Sequence, residues 1–429
     1  MKRHRHHRHR FFKPILRPAA GRKLPRELTP RKVTRLAEAL PEGVRDSGFE
    51  TLLRRIDGSP LFGGNDVEVY FRGEDAFTAM REAVDAAEKE ILLESYIYKD
   101  DETGVALFKA LARAAARGVV VKVLVDALGS ASTHATFGEE MTRHGIEHRM
   151  FHPLFEQLWY QPFRDHRKIL VIDRRLAFTG GMNIGEEYGS VVRNKKVKPG
   201  DTWRDTHVKV IGPTAWEMAV VFSEGWERAG GSTLELEPLS ADEAEGPTPR
   251  VLVLDSRFRR GQAESAAALA ALVAAARQSV WITNAYFAPG WAAVRTLTRA
   301  ARRGVDVRLM LPGRSDVPLA RHAGHGYYSR LLSRGVRIFE YQASILHAKT
   351  LVADGYVSVI GSTNLDFRSF LFNAECDLMI LCDDVARRMT GAFEEDMKNA
   401  VEIHRPEWRR RPFLHRLGDR MARWLSPLL

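Results

Sequence analysis

The stretch EDAFTAMREAVDAAEKE sets Phe77, Met80, Val84 and Ala87 at the three- and four-residue intervals that gather apolar side chains on one helix face. It runs directly into EILLESYIY, an apolar run with the length of a buried strand. ALFKALARAAARGVVVKVLVDALGS then gives a second helix, a stop at Gly118 and a second buried strand. The same order returns later in the chain. AESAAALAALVAAARQSVWITNAYF precedes VRTLTRAARRGVDVRLMLPGRSD, so that ARGVVVKVLV corresponds to RRGVDVRLML. The pattern predicts two matching α/β units. Between them, GGSTLELEPLSADEAEGPTPR is rich in Gly, Pro, Ser and acid and has no period, as a linker does. The division expected is a basic N-terminal extension over 1–58, a first lobe over 59–229, a linker over 230–250, a second lobe over 251–400 and a basic amphipathic tail over 401–429.

Each unit also carries a β-hairpin signature: HRKILVIDRRLAFTGGMN from His166 and HAKTLVADGYVSVIGSTN from His347. In the second, DG marks a tight turn between two alternating strands. Residues two apart on a strand share a face, so His166 and Lys168 project together, as do His347 and Lys349. Asn183 and Asn364 close the return strands and come back alongside. A structural repeat alone would conserve apolar spacing and would have no need to repeat His, Lys and Asn.

Charge narrows the substrate. The chain has 429 residues, a formal net charge of +11 and a pI near 9.7, which favours an anionic partner, either nucleic acid or an acidic membrane surface. Cys376 and Cys382 are the only cysteines and offer no disulfide framework. The N-terminus MKRHRHHRHRFFKPILRP lacks the apolar core of a secretory signal, and no run reaches the roughly 18 apolar residues of a membrane span, so a soluble or peripheral protein is expected. His4, His6, His7 and His9 alternate with arginines that would repel a cation, and a solvated basic tail is the expected reading.

An imidazole, an ammonium and an amide in each unit suit a phosphodiester. Phosphoryl transfer needs a nucleophile, a proton donor for the leaving oxygen, and positive or hydrogen-bonding groups on the non-bridging oxygens. Histidine serves the first two roles near neutral pH. With one histidine per unit, the two units must meet for chemistry.

The doubled H-x-K-x-x-x-x-D with trailing G-[GS]-x-N resembles the phospholipase D superfamily, from about residue 60 to 400. WRDTHVKVIGP from Trp203 and GSTNLDFRSFLFNAECDLMI from Gly361 resemble its bacterial cardiolipin synthase branch. The resemblance implies an α/β fold of two pseudo-symmetric α/β/α lobes, a site at their interface, a phosphohistidine intermediate, and no cofactor or metal. It implies transfer between two phosphatidylglycerols to give cardiolipin and glycerol, with His166 as nucleophile and His347 as acid and base. Lys168, Lys349, Asn183 and Asn364 would hold phosphoryl oxygens. Asp173 and Asp354 join the catalytic set as orienting groups, with turn formation as the competing role. Aligning the strands after each hairpin matches Asp205 with Glu375, acids expected each to accept a hydrogen bond from its own histidine. His322 and His325 have no partner at ligand spacing in the sequence. Gly181 stands where the family often has Ser, as Ser362 does in the second copy. The expected partners are an anionic phospholipid and the cytoplasmic face of a membrane, with no nucleic acid. The motif leaves hydrolytic phospholipase D or a nuclease as alternatives.

The tail RRRPFLHRLGDRMARWLSPLL places Phe413, Leu414, Leu417, Met421, Trp424, Leu425 and Leu428 within one helical arc, with Arg416, Arg420 and Arg423 beside it. Such a helix either packs on the catalytic domain or lies on an anionic bilayer.

Overall fold

A computed structural model describes residues 29–131, 133, 135–152, 163–189, 202–237, 239, 247–256 and 264–425. The N-terminal histidines and Leu428 lie outside them. Lobe 1 contributes strands β1 (Asp66–Tyr70), β2 (Glu90–Ser95), β3 (Val120–Asp126), β4 (Glu147–Phe151), β5 (Lys168–Ile172), β6 (Leu176–Gly180) and β7 (His207–Ile211). Lobe 2 contributes β8 (Arg250–Ser256), β9 (Ser279–Asn284), β10 (Asp306–Pro312), β11 (Arg337–Tyr341), β12 (Lys349–Ala353), β13 (Val357–Gly361), β14 (Glu375–Leu381) and β15 (Ala400–Glu402). The sheet orders are β1-β7-β6-β5-β2-β3-β4 and β15-β11-β10-β9-β12-β13-β14-β8. Read from opposite ends, these are one topology written twice, with β15 added at an edge.

In lobe 1, helices Gly73–Ala86 and Glu102–Ala116 cover the outer face of the sheet, burying Phe77, Met80, Leu107 and Phe108. Asp101 starts the second of these by accepting from Thr103 N and Gly104 N at 3.1 and 3.0 Å. Gly118, at φ 90°, ends it in the left-handed conformation that a side chain would oppose, and Gly304 does the same in lobe 2 at φ 94°. Helices Pro213–Arg228 and Asp383–Lys398 lie between the sheets. Their apolar faces join the inner faces of both sheets in one cluster that includes Val171, Phe222, Trp226, Val253, Ile360 and Met389.

The sequence division is corrected at its N-terminal boundary. Helices Pro30–Glu38 and Ser47–Asp57 fall within the expected extension, yet Val33, Ala37, Phe49, Leu53 and Ile56 sit in the core of lobe 2 beside Leu272 and Val280. Their amphipathic spacing needs an apolar partner, and the Ala-rich helix Glu264–Ala275 supplies one.

Candidate active site at the lobe junction

The two hairpins form as the sequence reads, β5 with β6 and β12 with β13, and both pairs are antiparallel. Each is followed by the strand bearing an acid, and the two lobes join just before these acids. Asp165 bridges Ala374, and Arg204 bridges Leu346. His166 N donates to Ala374 O at 2.9 Å, and His347 N donates to Arg204 O at 2.8 Å. Each histidine backbone is thereby fixed next to the acid of the opposite lobe.

The consequence is a crossed pairing. His166 Nδ1 lies 2.8 Å from Glu375 Oε2, and His347 Nδ1 lies 2.7 Å from Asp205 Oδ2. The same-lobe expectation for the two acids is corrected, because strand alignment identifies equivalent positions but says nothing about which copy faces which. A carboxylate on Nδ1 directs that nitrogen's proton and leaves Nε2 to react.

Lys168 Nζ donates to His166 O at 2.6 Å. Lys349 Nζ donates to His347 O and lies 3.0 Å from His347 Nε2. Asn183 donates from Nδ2 to the Tyr188 hydroxyl at 2.7 Å and accepts from Ile97 N at 3.2 Å. Asn364 is buried, and its side-chain oxygen has no hydrogen-bond partner among the described residues. His166, Lys168, Asn183, Asp205, His347, Lys349, Asn364 and Glu375 all surround the junction, each buried.

Asp173 and Asp354 do not join them. Asp173 accepts from the backbone N–H groups of Glu88, Lys89 and Glu90 at 2.9, 2.7 and 2.9 Å. Asp354 does the same for Arg277, Gln278 and Ser279 at 2.8, 2.8 and 2.9 Å. Both sit at φ 51° in the hairpin turns, at the end of the sheet remote from His and Lys. They tie each hairpin to the start of its central strand, so their place in the catalytic set is corrected to a structural one.

The two acids differ in support. Ser362 and Ser369 donate to Glu375 at 2.6 and 2.7 Å. In lobe 1, a Cβ on Gly181 would lie 2.1 Å from Asp205 Oδ1, so the shorter acid occupies the space that a serine would need. Burial pushes Glu375 up to about 7 against the pull of Lys168 and the serine hydroxyls. Burial opposes ionisation of Asp205 too, yet Lys349 and His347 hold its carboxyl below the usual range. Burial, with Lys349 next, pushes His347 down to about 4, and burial with Lys168 and Lys349 holds His166 well below its ordinary value. Burial also lowers Lys168 to about 7 and Lys349 to about 8.

Sequence reasoning missed the aromatic walls. Tyr96 packs edge-on to His166 with ring centroids 5.0 Å apart, and Trp203, Tyr188 and Tyr286 lie 5.2, 5.4 and 5.9 Å from His347. Tyr96 directly follows β2 and Tyr286 lies two residues beyond the end of β9, and the carboxyl ends of central strands are where α/β folds gather ligand groups. That signal was available in ESYIY and NAYF.

His322 and His325 also acquire partners. His322 Nδ1 lies 3.0 Å from Asp419 Oδ1, His325 Nδ1 3.6 Å from the same oxygen, and His325 Nε2 3.1 Å from Glu340. Arg411 donates to the other Asp419 oxygen at 2.9 Å. These three donor groups could hold a metal ion, but an arginine already on the carboxylate favours an ion-pair clip. The clip fastens the tail helix Phe413–Leu425 to helix Pro318–Leu332.

Two lobes of one topology, each presenting a His-Lys hairpin to their junction, make a phospholipase D-like fold. A solved structure agrees on the fold: phosphatidylserine synthase of Haemophilus influenzae superposes with a TM-score of 0.67, at 14% identity, over 88% of this chain and all of that one. Residues 80–195 and 269–397 match the family described as cardiolipin synthase, PLD-like domain. Cardiolipin synthase 1 of Bacillus anthracis is 31% identical over 432 residues, covering 98% of this chain and 84% of that protein. Cardiolipin synthase A of Pseudomonas syringae pv. syringae is 36% identical over 379 residues, covering 87% and 77%. The chain belongs to this cardiolipin synthase family of phosphatidyltransferase enzymes.

Proposed function

We propose that the protein joins two phosphatidylglycerols into cardiolipin and glycerol through a phosphohistidine. The observation that carries this is the crossed pair of acid-anchored histidines, which gives one phosphorus two reactive Nε2 atoms from opposite lobes. His166, kept neutral by burial, attacks phosphorus through Nε2. His347, which burial and Lys349 keep neutral in the free enzyme, takes up a proton as the anionic phosphate binds and gives it from Nε2 to the departing glycerol oxygen as the P–O bond breaks. Asp205, held ionised, stabilises that imidazolium, which supports the acid-base role for His347 over His166. The primary hydroxyl of a second phosphatidylglycerol then loses its proton to His347 and attacks phosphorus, and the N–P bond to His166 breaks. Lys168, Lys349 and the two asparagines steady the non-bridging oxygens.

The tail supports action at a membrane surface. Asp419 and Arg423 face helix Pro318–Leu332, while Phe413, Leu414, Met421 and Trp424 are 63, 75, 63 and 82% exposed. The tail therefore packs on lobe 2 through Asp419 and Arg423 and leaves these large apolar side chains outward, which supports the reading of a bilayer-facing surface. Among the described residues no helix is long and apolar enough to cross a membrane. We read the protein as peripheral, on the cytoplasmic leaflet.

The test is incubation of purified protein with phosphatidylglycerol vesicles followed by lipid analysis. Cardiolipin with equimolar glycerol is expected. Phosphatidic acid as the dominant product would replace transfer by hydrolysis, and cleavage of DNA without lipid turnover would move the substrate class to nucleic acid.

A further inference from the structure

A cavity of about 930 Å³ lies in lobe 2 alongside the catalytic hairpin. Its floor is one face of the sheet. Ile282, Leu351 and Val359 stand opposite one another across β9, β12 and β13, and all three line the space. Two residues along the same face, Asn284 pairs with Lys349, and both also border the cavity. The ammonium of Lys349 meanwhile reaches His347. An apolar floor therefore runs along the sheet to a polar end, where Asn284, Lys349, Thr363, Asp366 and Asp377 border the space beside the reacting groups.

The other lobe explains why the space is there. The aspartate of each hairpin holds the N–H groups of equivalent residues, 88–90 and 277–279, which aligns helix Gly73–Ala86 with Glu264–Ala275 and sets Phe77 against Ala266. The paired strand starts, Glu90 with Val120 and Ser279 with Asp306, align helix Glu102–Ala116 with Gly290–Arg302 in the same way. Leu107 and Phe108 then correspond to Ala293 and Val294. Lobe 1 fills its layer between helices and sheet with Phe77, Leu107 and Phe108. Lobe 2 replaces each by a smaller residue, and Ala266 and Ala293 line the resulting cavity. Close packing is the rule for protein interiors, so an apolar void of this size, within the roughly 300–1,000 Å³ range of ligand pockets, calls for an occupant.

The edge of the cavity states what that occupant is. Helix Pro30–Glu38 roofs it, and exposed Arg31, Arg35, Arg295 and Arg299 line it, the last paired with Glu38 at 2.9 Å, so that positive charge outnumbers negative among these residues; exposed Leu371 is also among the lining residues. An apolar interior between a phosphate-binding lysine and a ring of arginines fits a hydrocarbon chain attached to an anionic glycerophospholipid. We infer that this cavity holds one acyl chain of the lipid whose phosphorus lies at His166 and His347. The inference rests on the phospholipid reading above and adds that the enzyme grips a chain as well as a headgroup.

The experiment separates the two. Phosphatidylglycerol carrying a photoreactive diazirine near the end of one acyl chain is bound to the full-length protein, irradiated, and the labelled peptides are mapped. Labelling within residues 264–275 and 290–302 is expected. Absence of label there, whether the lipid sits elsewhere or another part of the chain fills the space, overturns the inference. The doubly substituted variant Ala266→Phe, Ala293→Leu, which copies the packing of lobe 1, should keep its melting temperature. Its preference for oleoyl over hexanoyl phosphatidylglycerol should fall at least about tenfold. An unchanged chain-length preference in the folded variant also overturns it. A protein that labels as expected yet forms no cardiolipin keeps the acyl site and loses the transfer reaction.

Discussion

Asp205 and Asp354 are both acids attached to the repeated hairpin, and the fold gives them unlike tasks. Asp205 accepts from His347 across the lobe junction, whereas Asp354 ties down three backbone N–H groups far from it. Asp205→Asn should therefore cost on the order of 100- to 10,000-fold in kcat, because His347 loses the anchor that fixes its tautomer and stabilises its charge. The melting temperature should move little. Asp354→Ala should do the reverse, lowering stability by about 1–3 kcal/mol through unsatisfied donors while the folded enzyme keeps kcat within a few-fold. Steady-state kinetics beside thermal melts decide it, and comparable kcat losses in both variants would contradict the structural assignment of Asp354. The lysines set a pH limit. Burial lowers Lys168 to about 7 and Lys349 to about 8, so both shed their protons, and their hold on phosphate, as pH rises through that window. The free-enzyme parameter kcat/KM should fall across pH 7 to 8, and the limb in kcat should lie higher, since bound phosphate favours the protonated lysines. Profiles that are flat to pH 9 would rule the lysines out as the phosphate-holding cations.

In the tail helix Phe413–Leu425 the docked side is Asp419, Ala422 and Arg423, while the large apolar residues Phe413, Leu414, Met421 and Trp424 face outward together with Arg416 and Arg420. Asp419, buried between His322, His325 and Arg411, makes this arrangement possible. Arg423 completes the dock, donating to Gly326 O at 3.0 Å and lying over the Trp291 ring at 5.3 Å. Leu414 and Trp424 contribute nothing to that dock, so the double substitution Leu414→Ser, Trp424→Ser should leave the melting temperature unchanged. Binding to phosphatidylglycerol vesicles in a sedimentation assay should weaken by about tenfold or more, because each large side chain loses roughly 1.5–3 kcal/mol of burial in lipid. A fall in melting temperature with intact vesicle binding would make the face a packing surface instead. The periodicity was enough to read the helix and its apolar arc. The side that docks was not legible, because Asp419 is one acid among many until His322 and His325 arrive from a helix about a hundred residues away.

At the scale of the molecule, the duplicated hairpins, the paired helix-strand units and the junction of two lobes were all visible in the chain, because each is a local pattern that recurs. What joins the copies is non-local and leaves no periodic trace. The crossed acids are of this kind, as are the Arg204–Asp396 pair at 2.8 Å, the Arg167–Asp255 contact at 2.5 Å and the docking of helices Pro30–Glu38 and Ser47–Asp57 on lobe 2. These ties imply that the halves are held by their interface and not by the linker. A protease site inserted between residues 239 and 247 should, once cut, leave two fragments that co-elute and turn over lipid at the uncut rate. Neither fragment alone carries a histidine with its acid, so fragments parted in denaturant and refolded separately should be inactive, and refolding them together should restore turnover. Separate fragments that each retain activity would mean that a histidine can work without the opposite lobe, and the crossed pairing would then not be the catalytic arrangement. Fragments that part on cutting would instead place the strength of the junction in the covalent chain. The apolar layer shared by both sheets argues against that outcome, since parting would expose Val171, Phe222, Val253 and Ile360 to water at roughly 25 cal/mol for each Å² uncovered.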